Sequence, residues 1–230
     1  MAALTSESQR VVAVVSGGMD SVTLAFLLHA EGWRLTMVSF DYGQRHRREL
    51  GCARAAAGRL GARHHVVDLT AAGALLGGSA LTDGAVAVPE GHYTDASMRA
   101  TVVPNRNAIL LAVATGVAVA EGATAVAFGA HTGDHPVYPD CRPVFVEAFA
   151  AMARVANEGF LAPGFQVLAP FLGKTKADIV RLGVDLEVPY AETWSCYVGG
   201  EAHCGRCGTC TERREAFALA GVPDPTSYLV

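Results

Sequence analysis

Two clusters in this chain carry side chains that do chemistry. The first is Ser16-Gly17-Gly18-Met19-Asp20-Ser21, in which two hydroxyls and a carboxylate surround a pair of glycines. Paired glycines let a chain turn sharply and bring successive backbone N–H groups against an anion, and a helix starting there adds its positive end. Ser16 and Ser21 supply hydroxyls. Asp20 either caps the helix or helps to hold a Mg2+ that accompanies a phosphate. The plainer alternative is a strand-to-helix turn with a good N-cap. The second cluster is Cys196, Cys204, Cys207 and Cys210, spaced C-x7-C-x2-C-x2-C and holding four of the six cysteines. Short C-x2-C steps with glycines between them let several thiolates face one ion, and four thiolates suit a closed tetrahedral Zn2+ site of structural rather than catalytic role. An iron–sulfur cluster is the rival, although its usual run places the fourth cysteine downstream rather than upstream. His203 is an alternative ligand. Cys52 reads as a small core residue and Cys141 as a loop thiol with nothing nearby to activate it.

The elements that must position these groups follow from periodicity. Val11 to Val15 is a continuous β-branched and apolar run, expected as a parallel strand buried on both faces, and the stretch from Ser21 to Glu31 turns to a helical period that stops at Gly32. The unit repeats with strands at 35–40 and 64–69 and a helix at 47–60 stopped by Gly61; after a glycine-rich irregular stretch, a helix at 107–121 leads to a strand at 125–130. Strands alternating with helices imply right-handed crossovers and a doubly wound α/β sheet. Ligands in such sheets sit beyond the carboxyl ends of the strands. The Ser-Gly-Gly notch, "DYGQR" after the second strand and "HTGDHPVYPDCRP" after the fourth therefore share one mouth.

Composition narrows the function. At 230 residues, 51% hydrophobic and 17% charged, the chain suits one sizeable globular domain or a domain with an appendage. No apolar run reaches the roughly 18 residues of a spanning helix. The N-terminal "MAALTSESQR" has no basic and apolar signal pattern, which points to a cytoplasmic protein without membrane contact. A net charge of -4 disfavours nucleic acid as partner, although "RHRRE" at 45–49 is a local basic knot that faces either solvent or phosphate. There is no lysine before Lys174, so the glycine turn is not a Walker A loop, and no G-x-G-x-x-G supports a dinucleotide.

Ser-Gly-Gly-x-Asp-Ser closing a first strand resembles the PP-loop of the ATP pyrophosphatases. Together with "FDYGQRHRREL", "VVPNRN", "YPDCRP", "PFLGKTKADIVRLG" and "TWSCYVGGEAHCGRCGTCTERREAF", it makes the chain similar nearly end to end to the 7-cyano-7-deazaguanine synthase family. The resemblance implies a PP-loop, adenine nucleotide alpha hydrolase-like domain over 1–190 and a small helical zinc-binding segment over 191–230. It implies ATP, Mg2+ and Zn2+ as cofactors, and ATP-dependent conversion of 7-carboxy-7-deazaguanine and ammonia to the nitrile in queuosine or 7-deazapurine biosynthesis, with AMP and diphosphate released. A relative that stops at the amide and a tRNA-thiolating PP-loop enzyme are the alternatives, and a non-enzymatic zinc module is a third. By the same resemblance Val15, Ser16, Gly17, Gly18, Met19, Asp20, Ser21, Val22, Thr23 and Leu24 form the nucleotide grip. Asp41, Tyr42, Gly43, Gln44 and Arg45 line the second loop, where adenosine or the activated carboxylate would lie. Arg106 meets developing phosphate charge, unless Asn105 or Asn107 merely caps the helix there. Lys176 rather than Lys174 neutralises polyphosphate, and Asp20 completes the catalytic set. Asn107, His131, Asp134 and Asp140 are expected at the acceptor, and Trp194 stacks on a base or packs in the core. The resemblance also implies a homodimer.

Overall fold

Alternation along β1 (Arg10–Val14) sends Val11 and Ala13 to one face of a sheet and Val12 to the other, and all three are buried. A computed structural model of the chain describes residues 9–134 and 137–230, so the N-terminal segment 1–8 and His135 and Pro136 of the fourth loop lie outside the described residues. Four further strands complete the sheet: β2 (Arg34–Asp41), β3 (Arg63–Asp68), β4 (Ala125–Ala127) and β5 (Gln166–Leu168). The order is β3-β2-β1-β4-β5 and every pairing is parallel, with Val12 opposite Thr36 on one side and Val126 on the other.

Among the described residues, eight α-helices run between and after the strands: α1 (Met19–Ala30), α2 (Glu49–Leu60), α3 (Thr70–Gly73), α4 (Asp95–Arg99), α5 (Arg106–Glu121), α6 (Pro143–Ala156), α7 (Lys176–Asp185) and α8 (Gly208–Ala220). One face of the sheet is covered by apolar residues of α1, α2, α7 and α8, among them Leu24, Ala56, Ile179 and Phe217. The other face is covered by α5 and α6 through Leu111, Ala114, Phe149 and Ala153. This is the doubly wound α/β arrangement expected from the alternation of elements. The order in which strands are added reverses between β1 and β4, and a crevice opens at that switch point beyond their carboxyl ends.

Differences from the expected boundaries have local causes. Helix α1 starts at Met19 rather than Ser21, because Gly18 in extended conformation is the N-cap and the helix begins inside the motif. Strand β4 ends at Ala127, and Phe128 to Ala130, expected as strand, turn into the crevice. The C-terminal segment packs on the sheet domain: the backbone N–H of Trp194 donates to Gly17 O at 3.0 Å, and Ala216 and Phe217 of α8 belong to the central core. Among the described residues no helix is long and apolar enough to cross a membrane.

Candidate active site

The glycine turn closing β1 is built around two serine hydroxyls. The N–H groups of Ser16 and Gly17 both donate to Ser21 Oγ at 3.2 Å, and that of Gly18 donates to Ser16 Oγ at 3.2 Å. Three successive backbone donors thus converge on two small acceptors at the start of α1, the arrangement that cradles an anion when a phosphate oxygen takes the acceptor position. Gly17 has φ +102°, and a Cβ there would lie 1.9 Å from Glu49 O. Only glycine lets the turn pack on α2.

Beside this turn lies a pole of opposed charges. Asp20, two residues into the helix, faces Lys176 Nζ at 3.7 Å and His131 Nε2 at 3.8 Å. Its Oδ1 is buried with no hydrogen-bond partner among the described residues, an acceptor open to a cation or a ligand donor. Lys176 is presented by a capping box: Thr175 Oγ1 accepts from Asp178 N–H at 3.2 Å, Asp178 Oδ2 accepts from Thr175 N–H at 2.9 Å, and Lys176 becomes the first residue of α7. Its ammonium is also paired with Glu212 of α8. Burial works against its charge, but Glu212, Asp20 and Asp134 outweigh that and raise it above the ordinary lysine range. His131 accepts from Gly133 N–H through Nδ1 at 3.0 Å, so the proton of the neutral ring sits on Nε2, toward Asp20 and, at 3.6 Å, Asp134.

The opposite wall is aromatic and holds Arg106. Tyr42, Tyr93, Tyr138 and Tyr197 line the same crevice, with His46, Glu49 and Trp194. Burial disfavours the Arg106 charge, but Tyr42, Tyr197, Tyr138 and Asp140 overcome this and keep it protonated. Neither Asn105 nor Asn107 caps α5 through its side chain: Asp140 does so, accepting from Asn107 N–H at 3.0 Å. Burial lowers His46 to about 3 and lifts Glu49 to about 8, disfavouring the charged form of each.

Of the residues expected at the site, the crevice gathers Val15, Ser16, Gly18, Met19, Asp20, Ser21, Tyr42, Arg106, Asn107, His131, Asp134 and Lys176. It does not gather the following. Val22, Thr23 and Leu24 point into the core under α1. Asp41 pairs with Arg47 and accepts from Gly43 N–H at 3.1 Å. Gln44 braces the second loop, its amide joined to Tyr42 N, Phe40 O and Glu49 Oε1. Arg45 donates to the carbonyls of Asp83 and Val86. Asp140 lies in an adjoining groove, and Gly17 supports the turn from behind. The basic knot therefore divides. Its arginines serve the scaffold, with Arg48 over the Trp194 ring at 5.1 Å, while His46 and Glu49 turn inward.

Sequence reasoning missed His46, Glu49, Tyr93, Tyr138, Tyr197 and Glu212. The first two had a signal, since an i, i+3 pair at a helix start shares a face. The tyrosines come from separate loops, and Glu212 has only its position two residues beyond a clustered cysteine.

The four sulfurs of Cys196, Cys204, Cys207 and Cys210 lie within 4.8 Å of one another and all four residues are buried. Cys207 Sγ to Cys196 Sγ and Cys204 Sγ to Cys210 Sγ are both 4.0 Å, close to the ~3.8 Å edge of a tetrahedron with Zn–S bonds of about 2.3 Å. Backbone N–H groups of Cys204, Arg206 and Cys207 point at the sulfurs of Cys196 and Cys204, as thiolates require. The thiol hydrogen bonds of Cys196 and Cys210 hold Cys207 down, while Cys196 is pushed up to about 11 and Cys210 further. Only a multivalent cation lets all four ionise together. His203 is no part of this set: its Nε2 accepts from Ser195 N–H at 3.1 Å and its ring stacks on Trp194, the centroids 4.3 Å apart. Trp194 itself is buried, with its N–H on Cys196 O at 2.8 Å. Cys52 packs against this cluster, and Cys141 is buried beside Asn107, its thiol pushed up by burial.

Comparison with known proteins agrees with this geometry. Residues 10–221 match the family described as Queuosine biosynthesis protein QueC. The 7-cyano-7-deazaguanine synthase of Paracoccus denitrificans is 58% identical over 219 residues, covering 95% of this chain and 93% of that protein. The one from Rhizobium johnstonii is 57% identical over 219 residues, covering 95% and 92%. Among solved structures, NMN synthetase from Francisella tularensis superposes with a TM-score of 0.52 at 15% identity, covering 94% of this chain and 79% of that one. A 4-thiouridine synthetase in an RNA complex with bound ATP gives 0.52 at 14%, covering 93% and 50%. At such identities the likeness is one of fold.

Proposed function

The chain belongs to the family of queuosine biosynthesis protein QueC, and from that premise we propose that it is an ATP-dependent 7-cyano-7-deazaguanine synthase whose glycine turn grips the β and γ phosphates and leaves the α phosphorus open to a substrate oxygen. The observation that supports this reading is the convergence of three backbone N–H donors beside Asp20 and Lys176, across one crevice from Arg106 and its tyrosines. A carboxylate oxygen of 7-carboxy-7-deazaguanine attacks the α phosphorus, the bond to diphosphate breaks, and an acyl adenylate forms. Ammonia adds at the carbonyl and AMP leaves with loss of a proton, giving the amide. The amide oxygen repeats the attack on a second ATP with loss of one N–H proton, and departure of AMP with loss of the other leaves the nitrile.

Each turn of this chemistry converts a poor leaving group into AMP, so the protein's work is positioning and charge stabilisation. Lys176 and the N–H groups of the turn hold the leaving diphosphate. Asp20, with its unpartnered Oδ1, is the carboxylate for Mg2+, which supplies neutralising charge to the diphosphate when bound. His131 orients Asp20 through Nε2–H. Arg106 draws the acceptor carboxylate into the aromatic wall. Segment 191–230 holds zinc through its four cysteines and seats Glu212 against Lys176.

Purified protein with MgATP, ammonium and 7-carboxy-7-deazaguanine should yield the nitrile and two AMP for each one, by mass spectrometry of the base and separation of the nucleotides. Amide as the end product would assign the chain to the amide-forming alternative, and ADP as the nucleotide product would overturn the adenylation.

A further inference from the structure

The second wall of the crevice contains a pair of buried groups that the adenylation chemistry leaves without a task. His46 and Glu49 are 3% and 6% exposed and both line the crevice. Glu49 is fixed on one side only. Gln44, itself locked to Tyr42 N and Phe40 O, donates to Glu49 Oε1 at 3.1 Å, and Oε2 is the oxygen left for a ligand. His46 Nε2 approaches Glu49 Oε1 at 3.5 Å, and Nδ1 is buried and unpartnered among the described residues; with the ring proton on Nε2, Nδ1 is a bare acceptor. Burial holds the Glu49 carboxyl near 8 against the pull of Gln44 and Arg106, the signature of an acceptor short of donors. Tyr197 closes one side, its ring centroid 4.9 Å from that of His46.

We infer that Glu49 and His46 form the specificity element that reads the 2-amino and ring N–H edge of the deazaguanine. This assignment rests on the function proposed above. Two bases enter this crevice, and their edges differ. Adenine presents one donor, its amino group, beside an unprotonated ring nitrogen, and a carboxylate facing both would meet a lone pair. The 2-aminopyrimidin-4-one ring presents a ring N–H beside an amino group, three donor hydrogens in a row. A carboxylate takes two and a bare imidazole nitrogen takes the third. Arg106, which lines the same crevice, is the cation available to the carboxylate of the acid.

Titration calorimetry with 7-carboxy-7-deazaguanine and its analogue lacking the 2-amino group tests this on the wild type and on Glu49→Gln. The wild type should prefer the 2-amino ligand by roughly 10- to 100-fold, the range of a good bidentate contact, and Glu49→Gln should bind it that much more weakly with the preference falling below about threefold. ATP titrated alone should bind both proteins within about threefold. A wild type that does not bind the acid or does not discriminate, a Glu49→Gln protein that keeps the preference, or one that loses ATP as much as acid would each overturn the assignment. The wild-type comparison stands even if the variant does not fold. AMP release in the same samples reads the adenylation separately, so failure there strikes the proposed function and not the edge-reading pair.

Discussion

Substituting alanine at Gly17 and at Gly18 should have opposite outcomes although the two positions are adjacent and identical in the motif. At Gly17 the new Cβ would stand 1.9 Å from Glu49 O and 2.8 Å from Ala53 N, the carbonyl and amide that the first turn of α2 joins. Opening 1.9 Å to the 3.0 Å that real contacts respect requires about 1.1 Å of backbone movement, in the turn or in α2. Overpacking of this kind costs about 1–3 kcal/mol, and a Cβ at φ +102° adds about 1–3 kcal/mol of strain. The total, roughly 2–6 kcal/mol, is a large part of the ~5–15 kcal/mol a domain has. If the turn moves instead of α2, an ångström of displacement at the phosphate donors lowers kcat/KM about a hundredfold. At Gly18, φ is −75° and the Cβ would meet Ser16 Oγ and Trp194 O at 3.4 Å, ordinary contact, so stability should change by less than about 1 kcal/mol. Urea denaturation with AMP release measured on the same preparations checks both. A Gly17→Ala protein as stable and active as the wild type, or one less damaged than Gly18→Ala, would refute the claim that the turn is built by contact with α2.

Metal analysis of the purified protein should find about one zinc per chain, and Cys207→Ser should lose it and melt at a lower temperature; full thermal stability without metal would remove the structural role. Glu49→Gln should change how stability depends on pH. The Glu49 carboxyl lies near 8 in the fold and near 4.5 when exposed, so the folded chain holds a proton the unfolded chain releases, and stability falls as pH rises through that window. His46, moved from 6.5 to about 3, is the reverse: the fold loses stability as pH falls below 6.5. Denaturation at pH 5 and pH 9 should therefore show Glu49→Gln gaining on the wild type by on the order of 1–5 kcal/mol at the higher pH, and a difference independent of pH would contradict the burial.

What the sequence disclosed and what it withheld divide along a physical line. Groups acting through contiguous backbone were legible: the Ser-Gly-Gly turn, the four strands read from apolar runs, and a cysteine cluster whose spacing alone brings the sulfurs within 4.8 Å. Side-chain direction was not. "DYGQR" follows its strand as expected, yet only Tyr42 of the five faces the crevice, since Gln44 and Asp41 are consumed in holding the loop and Arg45 anchors the carbonyls at 83 and 86. In the same way "RHRRE" reads as one basic knot until the turn that leads into α2, with Glu49 N–H on His46 O at 3.0 Å, separates a buried i, i+3 pair from three arginines. β5, only three residues long, has too little period to be seen and is fixed by its pairing with β4.

The cysteine cluster and the ion-pair group of Asp20, Lys176 and Glu212 are mechanically one unit, which decides how loss of a metal from the cysteines should act. Cys207 is the N-cap of α8 and Cys210 lies in its first turn, while Thr209, Glu212 and Arg213 of the same turns line the crevice. Glu212 is ion-paired with Lys176, and Arg213, 1% exposed, joins Tyr190 O, Thr193 Oγ1 and Ser195 Oγ of the segment that hydrogen-bonds the glycine turn through Trp194. Freeing the four sulfurs releases the start of α8 and with it the partner that holds Lys176 beside Asp20. On the function proposed above, an ion held there acts on catalysis through two charged residues, not through its own chemistry. Thus chelation should lower kcat through Lys176 before the sheet unfolds, because the central core holds none of the four cysteines and takes from α8 only the buried Ala216 and Phe217, beyond the turn that the cluster starts.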